Sequence, residues 1–313
     1  MSDDRTDAPA DLAQWGLHAF ALGARSTPHS VVAMDDNGVL LYHARNGITM
    51  SELHARGVSA SQSQLALLRA YELITIDGEV VTTAFPVIGP DLLSALRPRI
   101  RAFADTLAPR LTGGVKAITT ELRRRGHTAH DYTVVFGHAV DGLLWDRLRA
   151  HGLVPTTELS VERPYWNGAF WALHPPRKNT AGVNEVPGSA ATLVMVWTDA
   201  TSNALWELAR SDAGQSLLSD PHSQRAVPVL TGEDELHHHS LAIADTIARA
   251  LQSDPEARAL AAALPDTGRH EPILVLAHEL IWDLMTALVK TGHLHPQPGP
   301  RTLTDHLLLR VPR

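Results

Sequence analysis

Cysteine is absent from the chain. Disulfides, thiolate metal ligands and a cysteine nucleophile are therefore excluded whatever the compartment. Long apolar runs are also lacking, since none approaches the roughly 18 residues that a membrane-spanning helix requires. The stretch from Met1 to Ala10 is acidic and polar and lacks the basic-then-apolar order of a secretory signal, so the sequence predicts a cytoplasmic protein with no membrane partner. No glycine-rich phosphate loop, nucleophile elbow or nucleotide fingerprint occurs. Positive charge is short as well: the formal net charge is -7, which disfavours indiscriminate binding to nucleic acid, because phosphate contacts need a local excess of lysine and arginine.

What is present belongs to an ordinary globular protein. The 44% apolar and 19% charged fractions supply enough hydrophobic surface to offset the entropy of ordering the chain, and 313 residues suffice for two domains. Charge is unevenly placed. Between Ser94 and His130 lie Arg97, Arg99, Arg101, Arg110, Lys116, Arg123, Arg124 and Arg125, against only Asp105 and Glu121, so a basic stripe runs inside an acidic chain.

From Asp35 to Phe85 the punctuation is ordered. Val39, Leu40 and Leu41 mark a helical stretch, Asn46-Gly47 a turn, Ser51 to Arg56 a short helix and Gly57 a break. A second helix is predicted from about Ser59 to Tyr71, with Ser59 or Ser61 as N-cap and Leu65 and Leu68 facing inward. Leu73 to Ile76 and Val80 to Thr83 are β-rich runs around Asp77-Gly78, the dipeptide suited to a two-residue hairpin turn. Helix, turn, helix and hairpin in this order resemble the winged-helix modules of small bacterial regulators of the MarR, PadR or ArsR type, over about fifty residues. The resemblance implies a recognition helix whose Gln62, Ala66 and Arg69 share one face able to enter a major groove, with Arg97 and Arg101 adding phosphate contacts. Winged helices also serve as dimerisation lobes and protein-binding modules, so the fold alone carries no activity.

The chain also repeats itself at an offset of about 140 residues. Ala104-Asp105-Thr106 recurs as Ala244-Asp245-Thr246, His130 meets His270, Asp131 meets Glu271, His138 meets His278 and Gly152 meets Gly292. Pro86-Val87-Ile88 has a counterpart in Pro228-Val229-Leu230 with a two-residue slip. The predicted fold class is α+β, mostly helical: two winged-helix-like halves, residues 1–155 and 156–313, joined by a segment containing a β-hairpin. In the second half Asn203 to Arg210 takes the place of the recognition helix, showing Trp206 and Glu207, and Leu217-Leu218 with Asp220-Pro221 a degraded wing. Two such halves can pack as a pseudo-dimer; a monomeric pseudo-dimer and a homodimer both remain open.

In the connecting segment, Pro164 to Leu173 and Thr192 to Trp197 read as strands expected to pair, with His174 to Ala190 as an irregular insertion between them. The duplicated polar positions His130, His138, His270, His278, Asp105 and Asp245, together with Trp166 and Trp171, are candidate ligand-binding or catalytic residues; helix capping or core packing accounts for the same residues. If His138 and His278 share a cleft they could bind a divalent metal or move protons, but no metal ligands are assigned. His237-His238-His239 point about 100° apart on a helix and cannot share one ion, and His278-Glu279 lacks the second histidine of the helical zinc motif. Three functions stay open: a DNA-binding regulator with a small-molecule-sensing cleft between the halves, a metal- or histidine/carboxylate-dependent enzyme of small-molecule or peptide biosynthesis reusing the same scaffold, and a non-catalytic protein- or peptide-binding module. No cofactor is identified.

Overall fold

The computed structural model describes residues 8–21, 24–222 and 225–311. The chain enters through β1 (Gly16–Phe20), α1 (Pro28–Val32) and α2 (Asn37–Ala44), then β2 (Ile48–Thr49), α3 (Met50–Ala55), α4 (Gln62–Ala70), β3 (Ile74–Asp77), β4 (Val80–Thr83) and β5 (Val87–Ile88). Local chemistry fixes these boundaries. Thr49 accepts the N–H of Glu52 at 3.2 Å while the Glu52 carboxylate accepts that of Thr49 at 2.9 Å, and Ser61 with Gln64 repeats this capping box at 3.2 and 2.9 Å. Each such cap is worth about 1 kcal/mol. Of the two serines proposed as caps, Ser61 does the work. Gly78, at φ +59°, makes the tight turn between β3 and β4, which pair from Ile74↔Thr83 to Asp77↔Val80. β2 adds a third strand through Ile48↔Val81.

Next come α5 (Pro90–Arg125), then α6 (Asp131–Val134), a π-helical segment Val135–Leu143 and α7 (Leu144–Ala150), which together form one bent helix. The remainder is β6 (Ala169–Leu173), β7 (Ala181–Pro187), β8 (Thr192–Thr198), α8 (Ser202–Arg210), α9 (Asp212–Ser219), β9 (Val229–Leu230), α10 (Glu235–Ser253), α11 (Pro255–Ala262), α12 (Glu271–Lys290) and β10 (Leu307–Arg310). The fold is thus α+β and mostly helical, with small sheets.

Three expectations are corrected here. The strands of the connecting segment do not pair with each other: β6 lies between β1, antiparallel, and β5, parallel, whereas β8 lies between β7 and β10. All five residues of β6 are buried, and such a strand takes neighbours on both edges to satisfy its backbone. The insertion His174 to Ala190 contains β7, whose register with β8 runs from Ala181↔Thr198 to Pro187↔Thr192, so the hairpin of this region is β7–β8. Leu217 and Leu218 sit on the buried face of α9 rather than in a wing, and no hairpin follows α9 among the described residues.

The chain forms two compact, discontinuous units. The first comprises Met1–Arg99, Gly152–Arg177 and Ala259–Leu276; the second comprises Ile100–His151, Lys178–Arg258 and Ala277–Arg313. One of the boundaries between them falls at His151 and Gly152. The first unit gathers Leu40, Leu41, Leu53, Leu68, Leu73, Val81 and Phe85 around Trp166 and Phe170. In the second unit the π-helical segment lies against the sheet β7-β8-β10-β9, and a Cβ on Gly137 would come within 2.7 Å of Val196. Only a glycine allows that approach.

Two sheets share one strand order. In β1-β6-β5 the chain-last strand is flanked by an antiparallel and a short parallel neighbour, and β8-β10-β9 repeats this. Helices match too: Asp131 and Glu271 begin, and Ala150 and Lys290 end, equivalent stretches 140 residues apart. α12 is itself long and apolar enough to cross a membrane, a run the sequence hides because Glu279 and Asp283 interrupt it. Within the structure 67% of its most apolar window is buried, and those two carboxylates are buried with it, as in a core helix.

Candidate functional site

On α4 the periodicity divides the helix cleanly. Leu65 and Leu68 are buried, while Gln62, Ala66 and Arg69 are exposed together on the neighbouring face. The capping box at Ser61 ends the helix sharply, so Gln62 stands in its first turn. The face offers an amide, a methyl and a guanidinium, the groups that read base edges. The adjoining hairpin is chemically different. Its tip is Asp77-Gly78-Glu79, all exposed, and Ile76 and Val80 are 37% and 38% exposed.

The basic stripe on α5 is largely engaged within the protein. Arg101 lies 3.7 Å from Asp283, and Arg110 lies 4.0 Å from Asp254. Arg125 makes a two-pronged contact with Asp234, both bonds 2.7 Å. Arg124 and Arg125 both donate to Glu121, and hydrogen bonding from Arg124 leads in holding that carboxyl down to about 2. Arg97 is half-buried in the first unit. Arg97 has partners within the protein, whereas Arg101, near Asp283, keeps a largely exposed side chain.

The histidines divide among separate environments. His130 is buried, its Nε2 3.1 Å from the Thr304 carbonyl, and burial followed by the neighbouring His127 lowers its pKa. His270 is exposed at φ +61°, at the start of α12. His278 is half-buried and edge-on to Trp282, ring centroids 4.6 Å apart. His138 meets His237, with Nε2 3.1 Å from Nδ1. The histidine run on α10 thus contributes one member to the interior, while His238 is exposed and His239 approaches Glu235 at 3.7 Å. Burial, with Arg310 next in weight, drives the His138 pKa down to about 3. Since Nδ1 of His138 has no hydrogen-bond partner, the neutral ring carries its proton on Nε2 and donates it to His237: an unmet lone pair costs less than an unmet N–H.

The duplicated aspartates differ as well. Asp105 is exposed, whereas Asp245 is half-buried and bound by Arg147 and Arg249. Trp166 is core, its Nε1 donating to the Tyr71 carbonyl at 3.0 Å, and Trp171 is core stacked on His18. Asp141 was not anticipated. It sits one turn beyond His138, at the only non-helical φ/ψ inside the π-helical segment. It accepts the Trp145 indole N–H at 3.0 Å and the Val183 backbone N–H, and burial pushes its carboxyl up to about 7. A π-bulge often marks a functional position, and an aspartate inside the run Val134 to Leu144 is the sequence signal that identifies it. Glu185, bound by Arg310, also raises the Asp141 pKa. Among the described residues, no group of three or more histidine or acidic side chains is placed to hold a metal ion.

Comparison with family models, with curated proteins and with solved structures gives no match.

Proposed function

We propose that the chain is a winged-helix regulator that reads duplex DNA through α4, built from two halves of a duplicated module of which only the first keeps its wing. The observation carrying this reading is the joint exposure of Gln62, Ala66 and Arg69 on one stripe of α4, beside the buried Leu65 and Leu68, with α3 before the helix and the β3–β4 hairpin after it. The shared order of β1-β6-β5 and β8-β10-β9 supports the duplication. The acidic hairpin tip makes the helix, not the wing, the reading element. With one cation on that face, binding is sequence-selective and only weakly salt-dependent, at about 0.9 log units of affinity per log unit of salt for each phosphate neutralised.

Selection from a randomised duplex library followed by fluorescence anisotropy tests it. A recovered sequence should bind the intact chain and lose about tenfold or more on Arg69→Ala, the loss of one two-pronged base contact. Failure to enrich any sequence would sink the reading. A second reading, a protein-binding module, is favoured by the half-exposed Ile76 and Val80 beside Asp77 and Glu79. It predicts that substitutions in the hairpin, rather than at Arg69, abolish partner capture.

A further inference from the structure

Along one stretch of α5, Lys116, Thr119, Thr120 and Arg123 line a cleft of about 320 Å³, closed on the other side by Asp131 and the turn Gly292-His293-Leu294-His295. The cleft lies wholly within the second unit, so nothing about it depends on α4. Lys116 and Arg123 are seven residues apart and thus share a helix face. Both are exposed, and neither has an ion-pair partner among the described residues. Their neighbours Arg110, Arg124 and Arg125 all have one. Gly292, at φ +74°, turns the chain after α12 so that His293 and His295 come back to the cleft.

The acidic group in the wall is already satisfied. Asp131 accepts the backbone N–H of Tyr132 at 2.8 Å and that of His295 at 3.1 Å, with the His295 ring Nδ1 at 2.8 Å. Lys116 and Arg123 bring two positive charges against the single carboxylate of Asp131, with the Thr120 hydroxyl beside them. Two cations and a hydroxyl on one wall present more donors than the two oxygens of a carboxylate can use. A phosphate has three free oxygens and carries about −1.5 to −2 charge near neutrality. The volume lies at the small end of ligand pockets, about 300 Å³ upward, which leaves room for a small organic group besides the anion.

We infer that this cleft binds a phosphate dianion, either free or as the monoester of a small metabolite. Calorimetric titration of the full chain with inorganic phosphate and with glycerol 3-phosphate, in chloride buffers of matched ionic strength, tests it. Saturable binding is expected, weakened about tenfold by Lys116→Gln or by Arg123→Gln and unchanged by Arg258→Gln, an exposed position outside the cleft. All three variants are surface changes whose folding circular dichroism verifies. Tighter binding of the ester identifies a metabolite site, and equal binding identifies a site for free phosphate. Absence of saturable heat with both probes, or equal weakening by Arg258→Gln, overturns the inference.

Discussion

At the scale of single residues, His138 and Asp141 are opposed titrations on one stretch of helix. Asp141 has a native pKa raised from 3.8 to about 7, so the folded state binds its proton more readily than the unfolded chain does. The stability it contributes is complete below pH 3.8 and is lost as pH rises through about 7. His138 is depressed from 6.5 to about 3, so its contribution is present above pH 6.5 and is lost as pH falls towards about 3. The two slopes have opposite sign and overlap between pH 3.8 and 6.5, where they largely cancel. Melting temperatures across that window should therefore rise more steeply with pH in Asp141→Asn than in the parent chain, and should fall with pH in His138→Asn. If both variants keep the parent's profile, neither group is held as its burial implies. His138 was legible beforehand through the 140-residue offset, but Asp141 was not, and the hydrogen-bond partner His237 belongs to a run whose members diverge around α10, where nothing local says which of the three turns inward.

At the scale of elements, α5 shows what a helix does with glycine. α5 runs unbroken through Gly113-Gly114, while 140 residues on α10 ends at Ser253 and α11 begins at Pro255. The two glycines have different surroundings. A Cβ on Gly113 would meet nothing within 4 Å, whereas one on Gly114 would come within 2.8 Å of Ile243, a buried side chain. Gly113→Ala should raise unfolding stability by about 0.8 to 1 kcal/mol, the helix-propensity difference. Gly114→Ala should instead lower it by about 1 kcal/mol, because overpacking at about 1 to 3 kcal/mol exceeds the same gain. Chemical denaturation of both variants checks this, and two changes of the same sign would contradict the close approach of α5 and α10. Elements with local signatures were legible in the same way: the Gly57 break, the Ser61 cap and the Asp77-Gly78 turn place α3, α4 and the β3–β4 hairpin within a few residues. β1, β7 and β10 were not. Their partners lie far along the chain, and a four-residue run such as Leu307 to Arg310 looks the same whether it ends in a sheet or a loop. The π-helical segment was equally hidden, because its extra residue leaves the apolar pattern of a helix nearly intact.

At the scale of the whole molecule, two sheets share a strand order although the compact units are discontinuous in the chain. In each of those sheets the strand that comes last in the chain is the central one: β6 joins β1 to β5, and β10 joins β8 to β9. Removing residues 303–313 should therefore do more than trim an end. It leaves β9 with no strand partner and exposes the β8 edge, so the truncated chain should lose its cooperative thermal transition, as followed by circular dichroism. A transition unchanged from that of the intact chain would mean that the β7–β8 hairpin and its helices are self-sufficient. The same arrangement sets a timetable during synthesis: β8 and β9 leave the ribosome well before the strand that must lie between them, and their unpaired edges stand open to other nascent chains until Leu307 to Arg310 arrive.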